Sequence, residues 1–256
     1  MQKKGQVTVF VLLGLALLFA LAMLFYFRGK IVLNASPEAI EADLTGQMAT
    51  LQSTIIEPCL SKETTTLTQK LLVQGGSLLP TSVIQTQGKK FTVLCQSISG
   101  SSHCLRTPLV LYSFEQLMNT ELSKKISSCF DLSSYEGRND FTFTAGDPVV
   151  NVSIHPSRVI VDLAFPVQLQ RGNITVSKSQ FGKVVNVPFG DLVKGANDIL
   201  DSESSTGTFD PSSYSLLHLG IYRIVVSKPY PDRVYDLSLR AYPEDHFLFA
   251  VTGVAT

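Results

Sequence analysis

Tryptophan is absent from this 256-residue chain, and charged residues make up only 16% of it, against ~25% in a typical soluble protein. Without indole rings, carbohydrate cannot be held by stacked tryptophan, although eight tyrosines remain. Basic and acidic residues balance at 21 each, and no block of five like charges occurs. The chain therefore lacks the positive field that attracts nucleic acid, and we expect no nucleic-acid partner.

Short catalytic and cofactor motifs are also missing. The histidines at 103, 155, 218 and 246 show no H-x-x-H or H-E-x-x-H spacing, and neither G-x-S-x-G nor a phosphate-binding glycine loop occurs. Asp245 beside His246 could belong to a hydrolytic dyad, but a charged loop before a strand explains the pair better. We predict no catalytic residue, no cofactor and no metal ligand, although distant residues could still assemble a site.

One long apolar run stands at the N-terminus, where residues 7–27 contain no charge. About 20 apolar residues at 1.5 Å rise span a hydrocarbon core of ~30 Å. The alternatives are a buried core helix and a cleaved secretory signal. Signal segments have shorter apolar regions, whereas this run ends in Phe25–Phe27 followed by Arg28 and Lys30, as at a membrane interface. We predict a transmembrane anchor over residues 1–30, with residues 7–27 in the lipid bilayer.

The side of the membrane that the remainder occupies rests on three features. Basic residues flank the apolar run almost equally and favour a cytoplasmic N-terminus only slightly. Four cysteines form an even set, as expected in an oxidising compartment. Candidate glycosylation sequons begin at Asn34, Asn151 and Asn173. The sequence therefore predicts a single-pass cell-membrane protein with an extracytoplasmic C-terminal domain.

Helical periodicity dominates the chain up to about residue 135. Ser36 and Pro37 suit a helix start, and an apolar stripe follows from Ile40 to Cys59 at three- and four-residue steps, with Pro58 at or near its end. A second helix is predicted near Glu63–Val73, capped by Gly75-Gly76. A third is predicted from Ser113, where Ser-Phe-Glu-Gln fits a capping box, to Phe130.

Alternation of apolar and polar residues predicts strands after residue 135. The period-two pattern runs through residues 141–187 and typifies an antiparallel sheet with one face on a core. A short helix near Asp191–Leu200, a polar loop over 201–213 and three further strands complete the chain. The fold class predicted is α+β, with amphipathic helices packed on an antiparallel sheet. Residues 31–135 are predicted as a mainly helical subdomain, and 136–256 as a β-rich one.

The four cysteines allow three disulfide connectivities. Cys59 and Cys129 each fall near the end of a predicted amphipathic helix, so a bridge would join two packed helices. Cys95 and Cys104 are close in sequence, which suits a clip across a hairpin. We predict these two pairs. Four reduced structural cysteines are the first alternative, and a zinc site including His103 is the second.

Lys3-Lys4-Gly5-Gln6, directly before the apolar run, resembles the class III signal of archaeal type IV pilins and archaellins. The resemblance implies cleavage between Gly5 and Gln6, with the apolar helix retained for anchoring and self-assembly. Residues 3–200 are also similar to a group of single-pass envelope proteins of small-genome archaea. The shared features are Cys59-Leu60, Gln74-Gly75-Gly76, Cys129 and a β-rich remainder. This second resemblance implies architecture and location, and no activity.

Three functions are compatible with these features. The first is a non-enzymatic membrane-anchored envelope protein with a structural, adhesive or pilin-like role, partnered by itself or by other envelope proteins. The second is a membrane-tethered module that binds a ligand or partner outside the cytoplasm. The third is an extracytoplasmic hydrolase with dispersed catalytic residues.

Overall fold

The computed structural model describes residues 14–24, 36–97, 103–136 and 140–253. Residues 14–24 are helical (α1), and all of them are apolar and exposed. The rest of the predicted membrane span lies outside the described residues, as do Gly5, Gln6 and Asn34. Within the described ranges, no helix is both long and apolar enough to cross a membrane.

The C-terminal part of the chain is α+β, as predicted. Its helices are α2 (Pro37–Leu51), α3 (Glu57–Val73), α4 (Leu111–Cys129), α5 (Phe189–Thr206) and α6 (Pro211–Leu217). Its strands are β1 (Val83–Thr86), β2 (Lys89–Ser97), β3 (Cys104–Arg106), β4 (Thr142–Ala145), β5 (Val149–His155), β6 (Arg158–Arg171), β7 (Ile174–Val185), β8 (Tyr222–Ser227), β9 (Arg233–Leu239) and β10 (Tyr242–Thr252).

Pro58 does not end the first helix, contrary to the sequence prediction. A π-helical turn over Gln52–Ile56 joins α2 to α3 in one continuous helical rod, in which Glu57 N–H donates to Gln52 O. Proline has no N–H, and its ring collides with the carbonyl four residues earlier in a regular α-helix. The wider turn before Pro58 relieves that conflict, so Cys59 lies within the rod instead of at its end.

The π-helical turn is attached to β7 by polar side chains. Gln52 Nε2 donates to Glu57 Oε1 at 2.7 Å, and Lys178 Nζ donates to Gln52 Oε1 at 2.6 Å. Lys183 Nζ reaches Glu57 Oε2 at 3.2 Å. The hydrogen bonds from Gln52 and Lys183 lower the pKa of the Glu57 carboxyl. These contacts fix the helical rod over the sheet at its irregular point.

The first sheet, sheet A, has the strand order β1-β2-β10-β9-β8, and β3 also pairs with β2. The β2–β10 pair is parallel, and the other pairs are antiparallel. Strands from both predicted subdomains, 31–135 and 136–256, thus share one sheet. The main hydrophobic core likewise draws residues from Leu44 through Val251.

The second sheet, sheet B, is built around the long strand β6. β7 pairs along one edge of β6, while β4 and β5 pair with successive parts of the other edge. The helical rod packs on β7, α4 packs on β5 and on α3, and α5 contacts strands of both sheets. The core therefore lies between the sheets and these helices.

The capping box predicted at Ser113 was wrong, because α4 begins at Leu111 without a side-chain cap. Glu115 instead accepts a hydrogen bond from Ile154 N at 2.8 Å, and Asn119 Oδ1 accepts one from Val152 N at 2.6 Å. Residues four apart share a helix face. The two side chains thus satisfy backbone donors at the edge of β5 that pairs with no strand among the described residues.

The predicted cap after α3 is confirmed, whereas the predicted loop over 201–213 is wrong. Gly75 and Gly76 do follow α3, with φ of 60° and 84°, and Gly76 N donates to Leu71 O at 2.7 Å, as expected of a left-handed cap. The polar segment 201–213 is not one loop, because α5 continues to Thr206 and α6 begins at Pro211. In the last turn of α5, the Ser205 and Thr206 hydroxyls donate hydrogen bonds to preceding backbone carbonyls.

Candidate functional site

The alternation of β9 separates the two faces of sheet A. Tyr235, Leu237 and Leu239 point into the main core, whereas Val234 joins a small second cluster on the opposite face. Since side chains alternate along a strand, Asp236 and Ser238 lie on that opposite face with Val234. We refer to it as the outer face of sheet A.

The outer face has an apolar floor. Phe91, Val234, Leu248 and Ala250 form the second hydrophobic cluster, and all four are buried. The partly buried side chains of Ile84 and Val93 pack against this cluster. The floor is thus a fixed platform beneath charged groups.

Asp236 is the centre of a charged group on this platform. Its Oδ1 lies 2.5 Å from His246 Nδ1, and its Oδ2 lies 2.6 Å from Lys89 Nζ. The carboxylate is mostly shielded from solvent while Lys89 is half exposed. A carboxylate hydrogen-bonded to Nδ1 fixes the orientation of the imidazole ring and leaves Nε2 to face another group.

Strand pairing brings these side chains together from four strands. Asp236 of β9 pairs with Leu248 of β10 and with Val225 of β8. Arg223 of β8 pairs directly with Ser238 of β9. The β9–β10 register shifts between Tyr242 and Phe247, so the hairpin departs from regular pairing beside His246. Irregular pairing of this kind often re-aims a side chain near a site.

A cavity of about 270 Å³ lies over this platform, and we call it the outer-face cleft. Its lining includes Lys89, Arg223, Ser238, Asp236 and His246. Arg223 is exposed and forms no ion pair within the described ranges. Lys89 and Arg223 outnumber the single carboxylate of Asp236, so the cleft carries an excess of positive charge that suits an anionic group.

Asp245 and His246 lie within β10, and not in a charged loop before a strand as the sequence predicted. The partner of His246 is Asp236 and not the adjacent Asp245, whose carboxyl pKa is raised mainly by burial. A nucleophile is expected to hydrogen-bond the free nitrogen of such a histidine. In the part of the chain that the structure describes, His246 Nε2 has no hydrogen-bond partner. The Asp236 carboxylate can therefore fix the orientation of the His246 imidazole, and the cleft can bind a charged group.

The cysteines pair in the connectivity that the sequence predicted. Cys59 joins Cys129 with Cα atoms 6.0 Å apart, and Cys95 joins Cys104 with Cα atoms 5.4 Å apart. The first bridge ties α3 to α4, and the second spans the β2–β3 pair. With both sulfurs of Cys95 and Cys104 bonded, no thiolate remains beside His103 for zinc. No metal-binding cluster occurs among the described residues.

The remaining predicted positions have separate places. Asn151 on β5 and Asn173 in the β6–β7 turn are both exposed, and their modification stays a prediction.

A second charged cluster that the sequence did not indicate lies inside the core. Glu203 of α5 is fully buried and accepts two bonds from Arg233 Nη1, at 3.0 and 2.7 Å. Tyr235 also donates its hydroxyl to Glu203, and burial together with this bond raises the pKa of the phenol. The buried carboxylate is therefore fully partnered, which indicates a structural role.

Sequence reasoning missed both charged clusters for one reason. Their members lie on different elements and far apart in sequence; Lys89 and Asp236, for example, are 147 residues apart. The only local signal was the placement of Asp236 and Ser238 between apolar residues in β9. Comparisons with protein-family models, curated proteins and solved structures found no match to this chain.

Proposed function

We propose that this chain is a non-enzymatic, membrane-anchored envelope protein whose α+β domain lies outside the cytoplasm. The observation that supports this most strongly is α1, whose residues are apolar on every side and exposed. A helix that is apolar all round belongs in a protein core or in lipid, and α1 is not buried in the domain. The uncharged stretch of residues 7–27 has the length that a bilayer requires.

The cysteines support the external placement of the domain. Within the described residues no free cysteine remains, and the two disulfides staple the folded part. Disulfides persist in oxidising compartments and are rare in the cytosol. A cytoplasmic N-terminus followed by one span places the domain on the oxidising side.

For the role of the domain, we propose adhesion through the outer-face cleft to an anionic ligand or partner. Arg223 offers an exposed guanidinium without an ion pair in the described residues, and Lys89 and His246 stand beside it. Guanidinium and ammonium groups over an apolar floor suit carboxylate-bearing molecules. In the pilin-like version of this role, α1 also mediates self-assembly. This version is supported by the resemblance of Lys3–Gln6 to a class III signal.

A binding measurement on the full chain in detergent tests the cleft. We expect hexaglutamate peptide to bind, and the Lys89→Gln/Arg223→Gln double variant to bind it at least about tenfold more weakly, because charged hydrogen bonds of ~1.5–3 kcal/mol are lost. Calorimetry at low ionic strength gives both affinities.

The matched control removes the same charges elsewhere. Lys90 is the neighbour of Lys89 on β2, where side chains alternate between faces, and Arg158 is exposed at the start of β6. Lys90→Gln/Arg158→Gln should change affinity less than about twofold if only long-range charge is altered. An equal loss in both double variants, or no binding by the unmodified chain, would contradict the cleft as the site.

An extracytoplasmic hydrolase is the weaker alternative. His246 and Asp236 provide a base and the acid that orients it. The alternative requires a nucleophile or an activated water at Nε2, and the binding role requires neither. Ser227 and Ser238 line the same cleft and are the hydroxyl groups there that a nucleophilic mechanism could use.

A further inference from the structure

A segment of unusual polarity spans the end of α6 and the turn that follows it. Leu216, Leu217 and Leu219 are 80%, 80% and 91% exposed, and Ile221 is also more than half exposed. Four large aliphatic side chains in six consecutive residues thus face solvent. Single exposed leucines are common on proteins, whereas a contiguous group marks an interaction surface. We call residues 216–221 the leucine turn.

The polar residue of the leucine turn faces the protein instead. The His218 ring stacks on Tyr214 with centroids 4.0 Å apart, and its Nδ1 lies 2.9 Å from Tyr214 O. The Tyr214 hydroxyl in turn donates to Asp198 of α5 at 2.8 Å. The usual arrangement, apolar inward and polar outward, is therefore reversed by a fixed set of contacts.

The backbone also holds the leucines outward. Leu219 has φ of 51° and Gly220 has φ of 67°, and Gly220 N donates to Ser215 O at 2.7 Å. The left-handed region is common for glycine but rare for leucine. Leu219 thus combines an unfavourable backbone conformation with a side chain that packs on almost nothing in the fold, which points to a contact outside it.

Positive charge lies next to the leucine turn. The Arg240 guanidinium is close enough that a Cβ on Gly220 would lie 3.3 Å from it. Arg240 and Arg223 line an open groove of about 810 Å³ together with Leu216 and Leu219. Projecting aliphatic side chains backed by arginines match the two layers of a bilayer surface, acyl chains and anionic headgroups.

We propose that the leucine turn inserts into the surface of an anionic bilayer, with Arg240 at the headgroups. The inference rests on the proposed membrane anchoring, because the anchor brings the domain to the lipid. The projecting side chains of the turn favour lipid over a protein partner, because leucine is under-represented in protein hot spots. The turn also projects from the surface, so a protein partner would need a groove that receives it.

The absence of tryptophan from the chain provides a direct test. Leu217→Trp places a single indole on the turn, and Leu79→Trp places one at a comparably exposed position, 86% exposed. Leu79 precedes β1, at the opposite end of sheet A from β8. Each full-length variant is reconstituted in vesicles of phosphatidylcholine and phosphatidylglycerol, with and without brominated acyl chains.

We expect a blue-shifted emission at position 217 and quenching by bromolipid at least about threefold stronger than at position 79. Replacing phosphatidylglycerol by phosphatidylcholine, or adding Arg240→Gln, should weaken the quenching. Equal quenching at both positions, or none at position 217, overturns the inference. A blue shift without bromolipid quenching also overturns it, because the turn would then be buried against a second copy or another protein.

Flotation of the same vesicles separates this inference from the proposed anchor. Protein that floats and resists alkaline carbonate is anchored, so a negative result at position 217 then concerns the leucine turn alone. Protein that fails to float contradicts the anchor itself, whatever the fluorescence shows.

Discussion

Replacing Arg233 with methionine is expected to destabilise the domain by about 3–5 kcal/mol, the usual cost of breaking a buried ion pair. Glu203 is fully buried, and Arg233 Nη1 supplies two of its hydrogen bonds. Without the guanidinium, a carboxylate would stay in the core with only Tyr235 as a charge-neutral donor. Urea unfolding of the full chain in detergent, followed by circular dichroism, measures the change.

Two further variants separate the lost pair from a general loss of packing. Glu203→Gln/Arg233→Met removes both charges and should recover most of the stability, since replacing a whole buried pair is often nearly neutral. Arg158→Met on the surface should change stability by less than about 0.5 kcal/mol. A change below about 1 kcal/mol in Arg233→Met would contradict the buried pair as a structural element.

Tyr235 gives the same cluster a pH signature. Burial and the bond to Glu203 raise the pKa of the phenol above its ordinary 10.0. Above pH ~10 the unfolded chain therefore releases a proton that the native state keeps, so the free energy of unfolding falls as pH rises. The loss should be smaller in Tyr235→Phe, which has no proton to release.

Removing the Cys59–Cys129 bridge is expected to destabilise the domain more than removing the Cys95–Cys104 bridge. The two bridges close sequence separations of 70 and 9 residues. In the chain-entropy account these loops correspond to about 4.4 and about 2.6 kcal/mol. Each pair is replaced by alanine, because serine would place a hydroxyl at the buried Cys59 and Cys95. Urea midpoints of the two double variants give the order.

The reverse order would show that loop closure does not decide the contribution of these bridges. The long bridge ties α3 to α4, and α4 satisfies the β5 edge through Glu115 and Asn119. Loss of that bridge should therefore also increase hydrogen exchange at Val152 and Ile154. The short bridge should leave those amides unchanged, which provides an internal comparison.

Local periodicity was sufficient to predict the fold class and much of the element order. The stripe from Ile40 to Cys59, the Gly75-Gly76 cap and the alternating strands after residue 140 each depend on neighbours in sequence. The disulfide pairs could also be predicted, because each cysteine stood at a recognisable place on a helix or strand.

Long-range pairing could not be predicted from those patterns. β2 lies beside β10 in parallel, and nothing in either strand specifies a partner so distant in sequence. The sequence places Pro58 at or near a helix end because a π-helical turn is a rare way to accommodate proline. The outer-face cleft and the Glu203–Arg233 pair depend on strand pairings that no local pattern specifies. The exposure of the leucine turn is likewise visible only in the structure.

An epitope tag appended after Thr256 reports on which side of the membrane the domain lies. In intact cells expressing the full chain, we predict that antibody added outside binds the tag as strongly as it does after permeabilisation. Binding that appears only after permeabilisation would place the domain in the cytoplasm and contradict the account.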